Sequence, residues 1–156
     1  YYRIIYNTTG ESIPQADFIR ERNQISTVLQ IYRLGLIKGC HDISSGGLVT
    51  TLAEMAVASE RELGITVDLA GMEHTGLSPE KLLFSETGGF VIETPPGHER
   101  EILAVCARNR VNLHRLGSLI PRARLKITSG GDKIASWEVP GLREIYMTGC
   151  REIFGK

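Results

Sequence analysis

The stretch HDISSGGLVTTLAEMAVA, residues 41–58, constrains this chain more than any other. Leu48, Leu52, Met55, Ala56 and Ser59 keep the spacing of one face of an α-helix, and a Ser-Ser-Gly-Gly run stands directly before them. The periodicity predicts an amphipathic helix from about Gly46 to Glu62. Its inward face must be covered by a sheet or another helix. Its start admits two readings. In one, Ser44 or Ser45 is an N-cap and Gly46 and Gly47 permit close packing of helix on sheet. In the other, the unpaired first-turn N–H groups and the helix dipole hold an anion, which two glycines let approach the backbone.

Residues on either side punctuate the chain into alternating strands and helices. YYRIIYN at the start is β-branched and aromatic and reads as a strand, closed by the turn-forming TTGES. Pro14 and Asp17 introduce a helix to about Leu34, with Phe18, Ile25, Leu29 and Tyr32 on one face, and Gly35 ends it. LIKGCHDI is a short strand leading into the Ser-Gly motif. GITVDL reads as a strand and LSPEKLLF as a short helix capped by Ser78, with Pro79 at its first position. GGFVIET is a strand cut off by Pro95 and Pro96. Residues His98 to Asn109 form a helix with Ile102, Val105 and Cys106 inward. VNLHRLGSLI is a strand, and ARLKITS pairs with KIASWEV as a hairpin across SGGD. Beyond Pro140, Leu142, Ile145, Tyr146, Gly149 and Ile153 mark a last amphipathic helix. The expected fold class is α/β (α+β), a three-layer sandwich with a mixed sheet. A parallel Rossmann domain is disfavoured, because no GxGxxG follows the first strand and a hairpin forces antiparallel pairing.

A chain of 156 residues with 42% apolar composition supports one domain, residues 1–156, with its own core. Eighteen basic and eighteen acidic residues leave no net charge, so bulk electrostatics favours neither nucleic acid nor an anionic membrane as a partner. Any anion must be held locally. Cys40, Cys106 and Cys150 lack the close pairing of metal sites or disulfide frameworks, which fits free thiols in a reducing cytoplasm. The chain begins at Tyr1 rather than methionine, as a piece of something longer would.

Two polar, glycine-flanked loops carry the candidate chemistry. The first supplies Asp42, Ser44, Ser45, Gly46 and Gly47 as anion- or nucleotide-binding candidates, with His41 and Asp42 at a strand's C-terminal end, where open α/β sheets gather ligands. A His beside an Asp can act as a base or metal ligand, but the commoner arrangement has Asp42 capping the turn with His41 packed against it. The second, FSETGGF, offers Glu86 and Thr87, with Glu86 as an Mg²⁺ or amine contact or as a solvated turn carboxylate. His74, His98 and His114 lack ligand spacing.

The order of these motifs resembles a specific family. HDISSGGLVTTLAEMAVA is similar to the HD(V/I)S-x-GGL-x-x-x-LAEMA signature of the C-terminal half of the second synthase repeat in the phosphoribosylformylglycinamidine synthase family. Tyr1 and Tyr2 resemble the end of its GGSEYY segment, and LLFSETGGFVIET stands where that family has LFGES-x-x-RF. The resemblance implies the C-terminal domain fold of the aminoimidazole ribonucleotide synthase superfamily. It implies a parent ligase that converts formylglycinamide ribonucleotide, ATP and glutamine-derived ammonia to formylglycinamidine ribonucleotide, ADP and phosphate. ATP and Mg²⁺ are the implied cofactors of that parent, with none tightly bound here. The implied partners are the remaining domains, a glutaminase subunit and a small accessory subunit. Self-association through a surface those domains would cover is also expected.

Two departures stand out. Glu86, Thr87 and Gly88 occupy the place of a Glu-Ser-Gln that contacts substrate in the first repeat of such proteins, and Gly-Gly-Phe replaces the usual arginine, so the resemblance implies a degenerate substrate clamp in this copy. The family's catalytic histidine and principal ATP and Mg²⁺ ligands lie in other domains, so no catalytic or metal residue is assigned here, and the isolated chain is expected to be inert. The alternatives are a C-terminal module of the hydrogenase-maturation dehydratase or selenophosphate synthetase type, and a non-enzymatic assembly domain of the same fold.

Overall fold

A computed structural model describes residues 5–8, 15–59 and 63–154, without the side chains of residues 73–75 and 150–154. In chain order the elements are α1 (Phe18–Arg33), β1 (Gly39–Asp42), α2 (Gly47–Ala58) and β2 (Gly64–Asp68), followed by a 3₁₀ segment (Leu69–Thr75) and α3 (Pro79–Phe84). Then come β3 (Phe90–Glu93), α4 (Glu99–Arg108), β4 (Gly117–Ile120), β5 (Arg124–Ser129), β6 (Asp132–Glu138) and α5 (Val139–Phe154). Backbone contacts divide the chain into two compact units: Tyr1–Thr51 with Leu83–Leu113, and Leu52–Leu82 with His114–Lys156.

In the first unit α1 starts where Asp17 predicts, because the Asp17 carboxylate accepts from the N–H groups of Ile19 and Arg20 at 3.1 and 3.0 Å. It ends in a Schellman closure, with Gly35 N donating to Tyr32 O and Leu36 N to Ile31 O. The buried face differs from the expected one. Phe18 is 82% exposed and Tyr32 68%, with Ile25 and Leu29 also exposed, while Thr27 and Ile31 are buried. Ile31 joins Leu36, Ile102, Val105 and Cys106 in one apolar cluster against which Ile37, Ile92 and Val111 pack. The three α4 residues expected inward are therefore the ones inside. Strands β1 and β3 pair antiparallel, His41 opposite Val91.

The second unit is built on a mixed sheet of order β4-β2-β5-β6. β2 lies antiparallel to β4 and parallel to β5, and β5 and β6 form the hairpin that SGGD predicts. Ile65, Val67, Leu125 and Ile127 alternate to one buried face of the two central strands. Arg143 on α5 donates to the carbonyls of Val57 and Ser59, occupying acceptors at the C-terminal end of α2. Helix α3 begins at Ser78 as expected. The backbone N–H of Glu80 and the Ser78 hydroxyl hold the Glu80 carboxyl below its ordinary value.

The mixed α/β class and the mixed sheet follow the sequence reading, but several local expectations need correction. Of the opening strand, only residues 5–7 are described, and they are helical at Ile5 and bent at Tyr6 and Asn7; the rest lies outside the described residues. The strand expected over VNLHRLGSLI shrinks to Gly117–Ile120, since only that part finds a β2 partner. On α5, Ile145 and Tyr146 are exposed rather than inward. The α2 helix ends at Ala58, and residues 60–62 lie outside the described residues.

Candidate functional site

Every candidate residue falls in the first unit, where β1 hands the chain to α2 and the loop after α3 returns to β3. These two loops, separate in sequence, meet. Ile43 N donates to Gly89 O at 2.9 Å, and Gly46 N donates to Glu86 Oε1 at 2.7 Å. Glu86 is thus an exposed carboxylate that also accepts a backbone hydrogen bond. Thr87 remains exposed, with its hydroxyl 3.1 Å from that of Ser85.

The two glycines before α2 are required by backbone geometry. Gly46 has φ +82 and Gly47 φ +70, the left-handed region that L side chains rarely enter. A Cβ at Gly47 would fall 2.6 Å from Leu83 O and 2.8 Å from the Phe84 carbonyl carbon, so the helix start touches the backbone of α3. Close packing is therefore a use of Gly47, against a helix rather than the sheet that the sequence suggests. Ser44 and Ser45 are exposed, and Ser44 contributes its carbonyl to Gly47 N at 3.0 Å. Among the described residues neither serine hydroxyl bonds a backbone N–H, so neither is seen as the N-cap.

Asp42 ends β1 with its carbonyl accepting from Thr51 Oγ1 at 3.0 Å and from His41 Nδ1 at 2.8 Å. Its carboxylate stands 3.6 Å from the same ring nitrogen, so His41 packs against Asp42. Asp42 also acts on Cys40. Partial burial first, and the Asp42 charge second, push the exposed Cys40 thiol above its ordinary value. Cys106 is a buried free thiol raised by burial, and the Cys150 side chain lies outside the described residues.

Sequence reading missed Glu21. A Cβ on Gly88 would lie 3.5 Å from Glu21 Oε1, so α1 presents a second carboxylate to the Ser-Glu-Thr-Gly-Gly loop. The signal for it was weak, a first-turn acid whose natural reading is complementarity to the helix dipole. Among the described residues no three His, Cys, Asp or Glu side chains group into a metal site, and no helix is long and apolar enough to cross a membrane.

The chain is 34% identical over 152 residues to the phosphoribosylformylglycinamidine synthase subunit PurL of Methanothrix thermoacetophila, covering 97% of this chain and 19% of that relative. With the same subunit of Methanocaldococcus jannaschii it shares 27% over its whole length, 20% of that relative. The chain thus spans about a fifth of the curated relatives it matches. The fold resembles Thermotoga maritima PurL complexed with ATP at a TM-score of 0.73 and 21% identity, over 84% of this chain and 23% of that one. It resembles the hydrogenase maturation protein HypE in complex with ATP less well, at 0.52 and 20% identity over 75% of this chain and 41% of that one. Residues 3–130 match the family described as AIR synthase related protein, C-terminal domain. This chain belongs to that family.

Proposed function

We propose that residues 1–156 act as one C-terminal domain of the second synthase repeat in a phosphoribosylformylglycinamidine synthase. That ligase makes formylglycinamidine ribonucleotide, ADP and phosphate from formylglycinamide ribonucleotide, ATP and glutamine-derived ammonia. The carrying observation is the alignment with archaeal PurL along nearly the whole chain. The better fold likeness to PurL than to HypE supports this reading over the hydrogenase-maturation one.

Within such an enzyme, Asp42, Ser44, Ser45, Gly46, Gly47, Glu86 and Thr87 would form a polar edge for an anionic group of substrate or nucleotide. Support comes from the two loops converging in one unit, with the exposed hydroxyls of Ser44, Ser45 and Thr87 carried on them. ATP and Mg²⁺ would serve the whole enzyme. The described residues show no carboxylate group fitted to Mg²⁺, so no step is assigned to the metal on this chain. The partners would be the remaining synthase domains, a glutaminase subunit and a small accessory subunit, in the cytoplasm.

The test is a graft. Replacing the matched fifth of the Methanothrix subunit by this chain should leave ADP formation dependent on formylglycinamide ribonucleotide, ammonia, ATP and Mg²⁺. The chain alone should form none, because phosphoryl transfer needs a metal and a phosphate cradle together. A folded chimera without activity would count against the assignment.

A further inference from the structure

The Gly46 to Glu86 hydrogen bond links residues 40 positions apart and has a recognisable local counterpart. In a capping box, a Glu or Gln three residues into a helix reaches back to the N–H of the N-cap residue. Here the third helical residue is Val49, which has no acceptor to offer, and Gly46 directly precedes the helix. The Glu86 carboxylate takes the place that a local glutamate would fill.

Two further contacts reach across between the helix start and residues 83–89, and a third closes the turn locally. Ile43 N bonds Gly89 O, Gly47 lies against the Leu83 and Phe84 backbone, and Gly47 N returns to Ser44 O to close the turn before the helix. Thr50 Oγ1 bonds Gly46 O at 3.2 Å, fastening the residue that carries the Glu86 bond to the first turn. We infer that Glu86 is a capping residue supplied from a distant loop, so that the first turn of α2 and the loop 85–89 order and open as one cooperative unit. This holds whether or not the chain serves a synthase.

The device has a consequence for binding. A ligand that recruits Glu86, such as a cation or an amine, takes the cap from α2 and loosens both segments together. The chain therefore has a built-in coupling between the acidic loop and the helix start, at the two motifs whose polar residues stand out in the sequence.

Amide hydrogen exchange on the full chain tests the inference through four reporters. Gly47 and Ile43 report the helix start and the loop through their bonds to Ser44 O and Gly89 O. Leu36 and Val111, bonded to Ile31 O and Cys106 O, report the apolar cluster of the same unit. Glu86→Ala should speed exchange at Gly47 and Ile43 together by about tenfold, the size of a lost cap, and leave Leu36 and Val111 unchanged. Glu86→Gln keeps an oxygen acceptor without the charge, so it should speed the same pair by a smaller factor, about threefold, and carries the test if the alanine variant does not fold. Exchange at Gly47 and Ile43 within twofold of the parent, acceleration at only one of them, or equal acceleration at all four reporters would each overturn it.

Discussion

Helices α1 and α2 carry apolar residues at similar spacing, yet only α2 buries the face that its spacing announces. Leu48, Leu52 and Ala56 go inside as expected, whereas α1 turns Phe18, Ile25, Leu29 and Tyr32 outward and buries Thr27 and Ile31. The two buried threonines explain part of the difference. Thr51 Oγ1 bonds Gly47 O, and Thr27 Oγ1 bonds Asn23 O at 2.7 Å, in each case four residues back. A hydroxyl satisfied by its own helix loses most of its desolvation cost and packs as an apolar group. Counting threonine as polar therefore hides the true inner face of α1, while on α2 the neighbouring leucines are enough to reveal it.

The largest expected effect falls at the start of α2. Gly47→Val adds a β-branched side chain at positive φ and drives it into the α3 backbone, so unfolding in urea should show a loss of about 4 kcal/mol. A loss below about 1 kcal/mol would mean that α2 can start elsewhere.

The direct test of the comparison is a pair of equal truncations. Leu52→Ala should cost about 3 kcal/mol, while Leu29→Ala should cost less than about 0.5 kcal/mol because it removes an exposed side chain. Equal costs would show that the α1 stripe is covered in solution. Sedimentation over a range of concentrations would then show whether a second copy covers it. A smaller effect is expected at Thr27→Val, which keeps the shape and deletes only a hydroxyl whose carbonyl partner stays within the helix ladder. Stability should change by less than about 1 kcal/mol, measured by the same denaturation.

The smallest effect concerns thiol chemistry, and it reports which face of α1 is inside. Cys106 shares a cluster with Ile31, so it should react with a thiol reagent more slowly than exposed Cys40. If α1 instead docked through Phe18 and Leu29, Cys106 would lose its cover and react at the rate of Cys40. Both thiols are held above their ordinary value, so the fold favours their neutral forms. That contribution is complete below the unfolded-state thiol value and is lost as pH rises through the folded-state value, so stability should decline on the alkaline side. A thermal midpoint that climbs across that alkaline range would contradict it.

Much of the local structure was legible because short-range rules decide it. Asp17 starts α1, Ser78 starts α3, and Ile102, Val105 and Cys106 mark the inner face of α4. The candidate site was legible only as two lists of residues. Ser44 and Ser45 suggest an N-cap, but the observed bond at the helix start comes from Glu86, and Glu21 gave no sign that it would stand beside Gly88. On α1 and α5 the apolar residues that periodicity groups are exposed for the same reason, since periodicity names a face without naming what covers it.

By itself, the sequence determined the starts of α1 and α3, the end of α1, the β5–β6 hairpin across SGGD and the mixed α/β class, because caps, turns and alternation act within a few residues. Tertiary structure alone decided the parallel pairing of β2 with β5, the buried side of α1, the contact of Gly47 with α3 and the reach of Glu86 to Gly46. Each of these closes a long loop, and such closures are selected by the packing and hydrogen bonds they complete, which local propensity does not encode.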